Sequence, residues 1–444
     1  MACGGSGITP MLILTVFITC FGSSFVIGYN SGVVNLPSDH IKKFLSDNVS
    51  GKVSTSFLYA LVSAVFVVAG AAGSFSSGAI AESLGRRNTL LINHIFSIVG
   101  AVLSGPCVVA KSPALLYVGR IVTGFNAGIS LGVTSMYLTE VSPQDIRGAI
   151  GACHQLAVTI GIMMSYILTL DKILNTDRFW PLAMGLAAVP ATISLFILPI
   201  CPESPRFLFM KKGKEFEARK AFVKLNSKED PDVFINGLKE EMEAAAKQPK
   251  FKFIQICTRK DLRMPILLAC LIQVQQQLSG INAVISYSSV MLATSGLEAD
   301  KIQYCVVGIG VFNVIVTIIS LPLLERAGRR PLLLWPAVMF RQEPRAAAYA
   351  LSQGIQWLSN LLVLISYPSI NDAIKGYSFL PFLVIVVACW IVFFLFLPET
   401  KNRTFDDVAN ELSYPHVVIG KRSKTSEMEI FSKGLSIADE QYDA

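Results

Sequence analysis

A run of carboxamides carries the clearest chemical signal in this chain. The stretch QVQQQLSGINAVISYSS holds Gln275, Gln276 and Gln277 in succession, and Gln275, Ser279, Asn282, Ser286 and Ser289 follow steps of 4, 3, 4 and 3 along one helical face. Amides and hydroxyls both donate and accept hydrogen bonds, so such a face suits a neutral, polyhydroxylated ligand. Hydrogen bonding between helices accounts for one Gln or Asn in an apolar segment; three glutamines and an asparagine together ask for more. Single amides repeat the signal more weakly at Gln155, one turn before Thr159, at Asn313 and at Asn30. Trp357 sits in the middle of an apolar block, away from the interfacial belt where Trp is usual, and its ring suits the apolar face of the same kind of ligand.

A second constellation consists of charges. Glu82, Arg86, Arg87, Glu140, Arg147, Glu203, Glu325, Arg329, Arg330, Arg345 and Glu399 all fall at the ends of apolar blocks. Paired across neighbouring helices, they would form a latch that opens and closes one side of the molecule; the alternative is plain topogenic charge. Inside the blocks ionisable groups are almost confined to His94 and His154, each near a block end and read as packed rather than functional. A charged solute or a proton relay is therefore disfavoured. The nine cysteines are scattered without C-x-x-C or Cys/His ligand spacing, and no nucleophile or phosphate-loop constellation occurs. The sequence thus predicts no metal, no cofactor and no enzyme.

These groups need elements to hold them, and composition says which. Of 444 residues 52% are hydrophobic and 16% charged, against about 45–50% and about 25% in soluble domains. The apolar residues form blocks near 11–33, 57–80, 89–110, 114–138, 148–170, 179–200, 264–291, 303–324, 346–368 and 377–397, each of about the length that crosses a hydrocarbon layer of ~30 Å. The expectation is an all-α polytopic membrane protein with ten spans, the first retained rather than cleaved. The polar stretch 201–263, with 15 Lys/Arg and 10 Asp/Glu, divides two membrane halves, 1–200 and 264–397, and 398–444 forms a tail. With both termini and the linker in the cytosol, 29 Lys/Arg lie inside and 8 outside, as the positive-inside rule asks. Arg120 is left over in the outer third of the fourth span and is expected to snorkel. The net charge of +7 then marks cytosolic loops, not a nucleic-acid partner. The sequon Asn48-Val49-Ser50 falls on the outer side, where it can be glycosylated; Asn402-Arg403-Thr404 falls inside.

The two halves repeat each other. Glu82-Ser83-Leu84-Gly85-Arg86-Arg87 matches Glu325-Arg326-Ala327-Gly328-Arg329-Arg330, Ser142 to Arg147 matches Arg341 to Arg345, and Pro202-Glu203-Ser204 matches Pro398-Glu399-Thr400. Arg147 to Pro202 and Arg345 to Pro398 are 55 and 53 residues apart, but Glu82 to Arg147 is 65 and Glu325 to Arg345 only 20. The deficit of 45 residues lies between about 331 and 341 and equals two spans and a turn. A six-plus-six plan is reduced here to six plus four.

The motifs GYNSGVVN, GRRN, GRIVTGFNAG, YLTEVSPQDIRGAIG, PESPRFL, QQLSGINAV, ERAGRRP and PETKNRTFDD resemble the sugar porters of the major facilitator superfamily, most closely the animal facilitative glucose transporters, over about residues 11–410 apart from the gap. The resemblance implies a major facilitator fold and alternating-access transport of a hexose, glucose first, across the plasma membrane. It implies that Gln155, Gln276, Gln277, Asn282 and Asn313 hydrogen-bond the sugar. Gln277-Leu278-Ser279 resembles the version associated with glucose rather than fructose, and Asn30 stands where proton-coupled relatives carry aspartate, which favours uniport. Departures include Ser286 for the first Tyr of a pair, Gln356 for an asparagine, and the missing ninth and tenth family spans with their sugar-contacting tryptophan and glutamate. The alternatives are a transport-incompetent short form acting as partner or regulator of full-length copies and, behind it, a proton-coupled symporter. The expected partners are the sugar and membrane lipid; a homo-oligomer is compatible with the sequence.

Overall fold

A computed structural model of the chain describes residues 8–49, 54–143, 146–226, 230–247, 263–294, 296–327, 345–374 and 377–396. Every apolar block contains helix, although the third ends in turns at 105–110. Among the described residues six helices are long and apolar enough to cross a membrane by themselves: Pro10–Gly32, Thr55–Leu84, Pro113–Val141, Arg147–Leu168, Trp180–Ile200 and Asp300–Ser320. These are the first, second, fourth, fifth, sixth and eighth spans. The third, Arg86–Ser104, opens on two arginines, and the seventh is split into Arg263–Leu278 and Ile281–Thr294. The ninth, Arg345–Ile374, is diluted by Gln, Asn and Ser, and the tenth, Leu380–Phe396, has 17 residues.

The first six spans pack closely because glycines let their backbones meet. A Cβ on Gly28 would stand 1.9 Å from the Val158 carbonyl oxygen, and one on Gly161 2.1 Å from that of Phe25, so the first and fifth spans cross with no room for a side chain. The second and fourth spans cross likewise, Gly128 against Gly70 and Gly124 against Phe66. A π turn, Cys20–Ser24, interrupts the first span. Beside it lie both histidines: His154 Nδ1 is 2.7 Å from Ser24 Oγ, and His94 Nε2 is 3.0 Å from Ser194 Oγ.

Arg120 does not snorkel. It is 3% exposed, donates to the carbonyls of Asn30 (2.8 Å) and Val62 (3.4 Å), and lies 4.2 Å from the centre of the Phe66 ring. The reason is local: the helix Phe25–Gly32 ends there, and its last carbonyls present free acceptors and the negative end of the helix dipole to a cation.

Beyond the sixth span, helices Pro205–Met210, Glu215–Leu225 and Pro231–Lys247 share a small core of Phe209, Ala218, Ile235 and Leu238, with Phe222 and Phe234 stacked at 4.2 Å. This cluster is fastened to the membrane part by Thr9. Its Oγ1 accepts from Leu12 N–H, capping the first span, and donates to Lys224 O at 2.8 Å. In the later spans, the seventh packs on the ninth and tenth, the eighth on the fifth, and the ninth crosses the second.

Candidate functional site

The carboxamide stretch sits at a break in the seventh span. Helix Arg263–Leu278 stops before Gly280, whose φ of +83° suits glycine alone, and a new helix starts at Ile281. A Cβ on Gly280 would also touch Phe379 at 3.1 Å. The break divides the polar face read as continuous from the sequence. Ser286 and Ser289 are buried, and Ser289 is used structurally, whereas Gln276 and Ser279 are exposed at the break. Gln277 is buried and its Oε1 accepts from Asn282 Nδ2, so these two amides hold each other across the interruption. The Ser279 hydroxyl donates to Gln276 O at 2.7 Å, so the exposed Gln276 carboxamide is the polar group left facing outward at the break.

Gln155 and Asn313 lie on the fifth and eighth spans, which pack against each other around the interior of the bundle. On the fifth span Gln155, Thr159, Ile162 and Tyr166 share a face. The last three are buried, and Tyr166 OH donates to Ile285 O of the seventh span at 2.8 Å, while Gln155 is exposed. The buried end of this face meets the seventh span, and Gln155 stands at its exposed end. On the eighth span Val306, Gly310, Asn313 and Thr317 share a face, with Gly310 against Met163 and Tyr166 of the fifth. Asn313, half-buried, stands one turn further along that face.

The ninth span contributes Trp357, its ring laid on Gly70 of the second span, where a Cβ would stand 2.5 Å from the indole. Its Nε1, with Gln356 Oε1 and Asn360 Oδ1, is buried without a hydrogen-bond partner. Sequence reading singled out Trp357 but noted Gln356 only as a departure and passed over Asn360. Their spacing of four along a helix was the available signal.

One end of this interior is closed, on the side of the loop after the first span. The Asn35 carboxamide donates to Ile285 O (2.8 Å) and Ser288 Oγ (2.6 Å) and accepts from Ser289 N–H (3.0 Å). Tyr59, Tyr287 and Tyr367 form a row across the second, seventh and ninth spans, Tyr59 meeting Tyr287 edge-on at 5.9 Å and Tyr287 stacking on Tyr367 at 5.6 Å between centroids. Tyr287 OH donates to Leu364 O at 3.1 Å. That carbonyl lies four residues before Pro368, which has no N–H to offer it. Nothing in the sequence announced Asn35, whose partners lie some 250 positions away.

The charges at the opposite end form a network of their own. Glu203 Oε1 accepts from the N–H groups of Arg86 (3.0 Å), Arg87 (3.0 Å) and Ser204 (2.9 Å), so a carboxylate caps the N-terminus of the third span. Arg86 pairs with Glu140 at 2.8 Å, both nearly buried, and Ser204 Oγ donates to Glu140 as well. Arg87 donates to the carbonyl of Cys201 at 3.0 Å. Glu82 pairs instead with Lys211 at 3.1 Å, and Arg147 is exposed at the start of its helix. Glu325 and Arg345 lie on the eighth and ninth spans, but their side chains, together with Arg329, Arg330, Glu399, the 331–341 junction and the tail 398–444, are outside the described residues. Asn48 ends the helix Ser38–Asn48, its Nδ2 donating to Phe44 O at 2.8 Å; Ser50 is also outside. Among the described residues no group of three His, Cys, Asp or Glu side chains gathers as a metal site would require.

Comparison with known proteins gives a consistent picture. The family model described as "Sugar (and other) transporter" matches residues 15–340 and 336–412, two pieces that meet at the junction where the internal repeat is short. The facilitated glucose transporter member 3 of solute carrier family 2 from Ovis aries is 34% identical over 463 positions, covering 91% of this chain and 93% of the relative. That alignment is longer than the 444-residue chain itself, so the relative has residues where this chain has none. Member 5 from Bos taurus is 32% identical over 482 positions, covering 96% of each. Among solved structures, the xylose transporter XylE from E. coli in a partially occluded inward-open conformation superposes with a TM-score of 0.71 at 19% identity, covering 88% of this chain and 99% of that one.

Proposed function

The chain belongs to the sugar transporter family, with the major facilitator fold of an integral membrane protein, and on that basis we propose that it is a passive hexose carrier of the plasma membrane, glucose being the first candidate. Two membrane halves, 1–200 and 264–397, rock about a site held by Gln155, Gln276, Gln277, Asn282, Asn313 and Trp357. The observation that carries this reading is the break at Ser279-Gly280. It leaves Gln276 exposed beside the Gln277–Asn282 pair, and Gln155, Asn313 and Trp357 are the groups that the fifth, eighth and ninth spans add in this reading. Neutral donors and acceptors bind a polyol without asking it to shed or take a charge. With Asn35 and the tyrosine row closed, a bound sugar would exit on the side of the Glu203 network. Breaking the Asn35 contacts, while Glu140, Glu203 and Arg86 join Glu325, Arg329, Arg330, Arg345 and Glu399 across the halves, would reverse the access.

Uniport rather than symport is supported by Asn30. Its amide donates to Val26 O and its carbonyl accepts from Arg120, which leaves no carboxylate at that place to carry a proton. The linker and both termini are cytosolic in this reading, and Asn48 carries a glycan. Lipid is the surrounding partner, and a homo-oligomer is compatible with it.

A second reading, a transport-incompetent form acting as partner or regulator of full-length carriers, is favoured by the two-piece family match at 336–340 and the deficit of 45 residues beside it. Uptake of labelled glucose in cells without endogenous carriers separates the readings when the chain is compared with a version whose missing residues are restored. Equal uptake overturns the second reading. Uptake only in the restored form overturns the first for this chain, and acidification-dependent uptake overturns uniport.

A further inference from the structure

The linker helix Glu215–Leu225 is doubly amphipathic. Its inner face, Ala218, Ala221, Phe222 and Leu225, is buried in the linker core. On the opposite side Phe216, Lys220, Val223 and Lys224 follow i, i+4, i+7 and i+8, and all four are exposed. Phe216 is 79% exposed and Val223 56%, unusual for large apolar groups on a helix that has already found a core on its other side.

The charges around this stripe are not equivalent. Glu215 is occupied by Arg219 and Lys239, Arg219 also holds Asp232, and Lys214 holds Glu217. Lys220 and Lys224 take no part in any ion pair among the described residues. The stripe thus presents two unmatched cations alternating with two apolar side chains.

Its depth is set by hydrogen bonds. Thr9, which caps the first span, donates to the carbonyls of Lys224 and Leu225, and Ile8 bridges to Asn226. At the other end of the helix Lys211 reaches Glu82, and Lys212 donates to Ser83 O at 3.4 Å, both at the end of the second span. The helix therefore lies at the level where two spans leave the hydrocarbon, not out in the aqueous phase.

We propose that Glu215–Leu225 is a membrane-surface helix, with Phe216 and Val223 inserted between anionic lipid headgroups and Lys220 and Lys224 on their phosphates. Large apolar groups interleaved with lysines at interfacial depth match the physics of helices that lie in the bilayer surface. An acidic protein would satisfy the lysines but has no reason to meet them at that depth. The inference does not depend on whether the chain transports.

The test uses the full chain with Phe216→Trp in vesicles of phosphatidylcholine, with and without phosphatidylserine, the four native tryptophans being subtracted with the parent chain. With phosphatidylserine the added emission shifts to the blue, escapes quenching by iodide and is quenched by lipid brominated near the headgroup. Adding Lys220→Glu and Lys224→Glu abolishes all three effects while the circular dichroism stays helical. Iodide quenching that is equal in both lipids and untouched by the charge reversals overturns the proposal and leaves the stripe to a protein partner.

Discussion

Gln276 and Gln277 are neighbours with opposite environments, and their substitutions should differ accordingly. Gln276 is exposed at the break. If it binds the sugar as proposed, its replacement by alanine removes one contact of about 0.5–1.5 kcal/mol, so KM for the sugar should rise roughly 2- to 10-fold with unchanged thermal stability. Gln277 is buried and accepts from Asn282. Gln277→Ala leaves that amide without its partner and should lower the melting temperature as well as uptake. Glu203 offers a cleaner structural case, since one carboxylate oxygen takes three backbone N–H groups. Glu203→Gln keeps the shape and removes the charge, and a loss of about 1–3 kcal/mol is expected from an acceptor at a helix N-terminus. Thermal unfolding in detergent reads it, and a melting temperature equal to that of the parent would show that the network is incidental.

At the scale of elements, the bond from Tyr287 to Leu364 O joins the seventh and ninth spans by repairing a defect. Pro368 deprives Leu364 of its helical donor, and in hydrocarbon an orphaned carbonyl is costly. Tyr287→Phe should therefore destabilise the chain when Pro368 is present and much less when it is replaced by alanine, which restores the helical N–H. A double-mutant cycle that comes out additive would sink this account. The coupling matters for function because the tyrosine row closes one end of the interior, so the same variants should also change how readily that end opens.

For the molecule as a whole, closure on the first-loop side has a second, peripheral fastening. Asp177, after the fifth span, meets His40 at 2.8 Å and Lys43 at 3.3 Å on the helix Ser38–Asn48. The hydrogen bond from His40, then Lys43, holds the Asp177 carboxyl below its ordinary value. A depressed carboxyl contributes its stabilisation above the unfolded value and loses it as pH falls through the folded one. Asp177 should thus give no pH dependence between about pH 5 and 8, and its part of the fastening should release only below about pH 4. Limited proteolysis of the first loop across that range measures it, with Asp177→Asn removing the acid transition. The same scale contains the deficit at 331–341. The uptake comparison with restored residues asks whether spans 1, 2, 5, 7, 8 and 9 can enclose a sugar on their own.

Composition and periodicity alone determined the solvent, the helical class and the order of the spans, because a hydrocarbon layer leaves a chain few ways to satisfy its backbone. The three glutamines with Asn282 carry the chemistry of the proposed site in the sequence itself, and the internal repeat exposed the shortage before any relative was compared. Other features came from the tertiary structure. The regular stripe from Gln275 to Ser289 is cut at Gly280, since a positive φ ends a helix whatever the side-chain spacing says. Arg120, placed by sequence at the membrane surface, is drawn inward by carbonyls of two other spans. Asn35, Tyr287 and the pair of Glu203 with the third span acquire meaning only when residues up to about 250 positions apart are brought within a hydrogen bond. One-dimensional patterns report which faces are polar; which polar face meets which is settled by packing, and packing is a property of the folded chain.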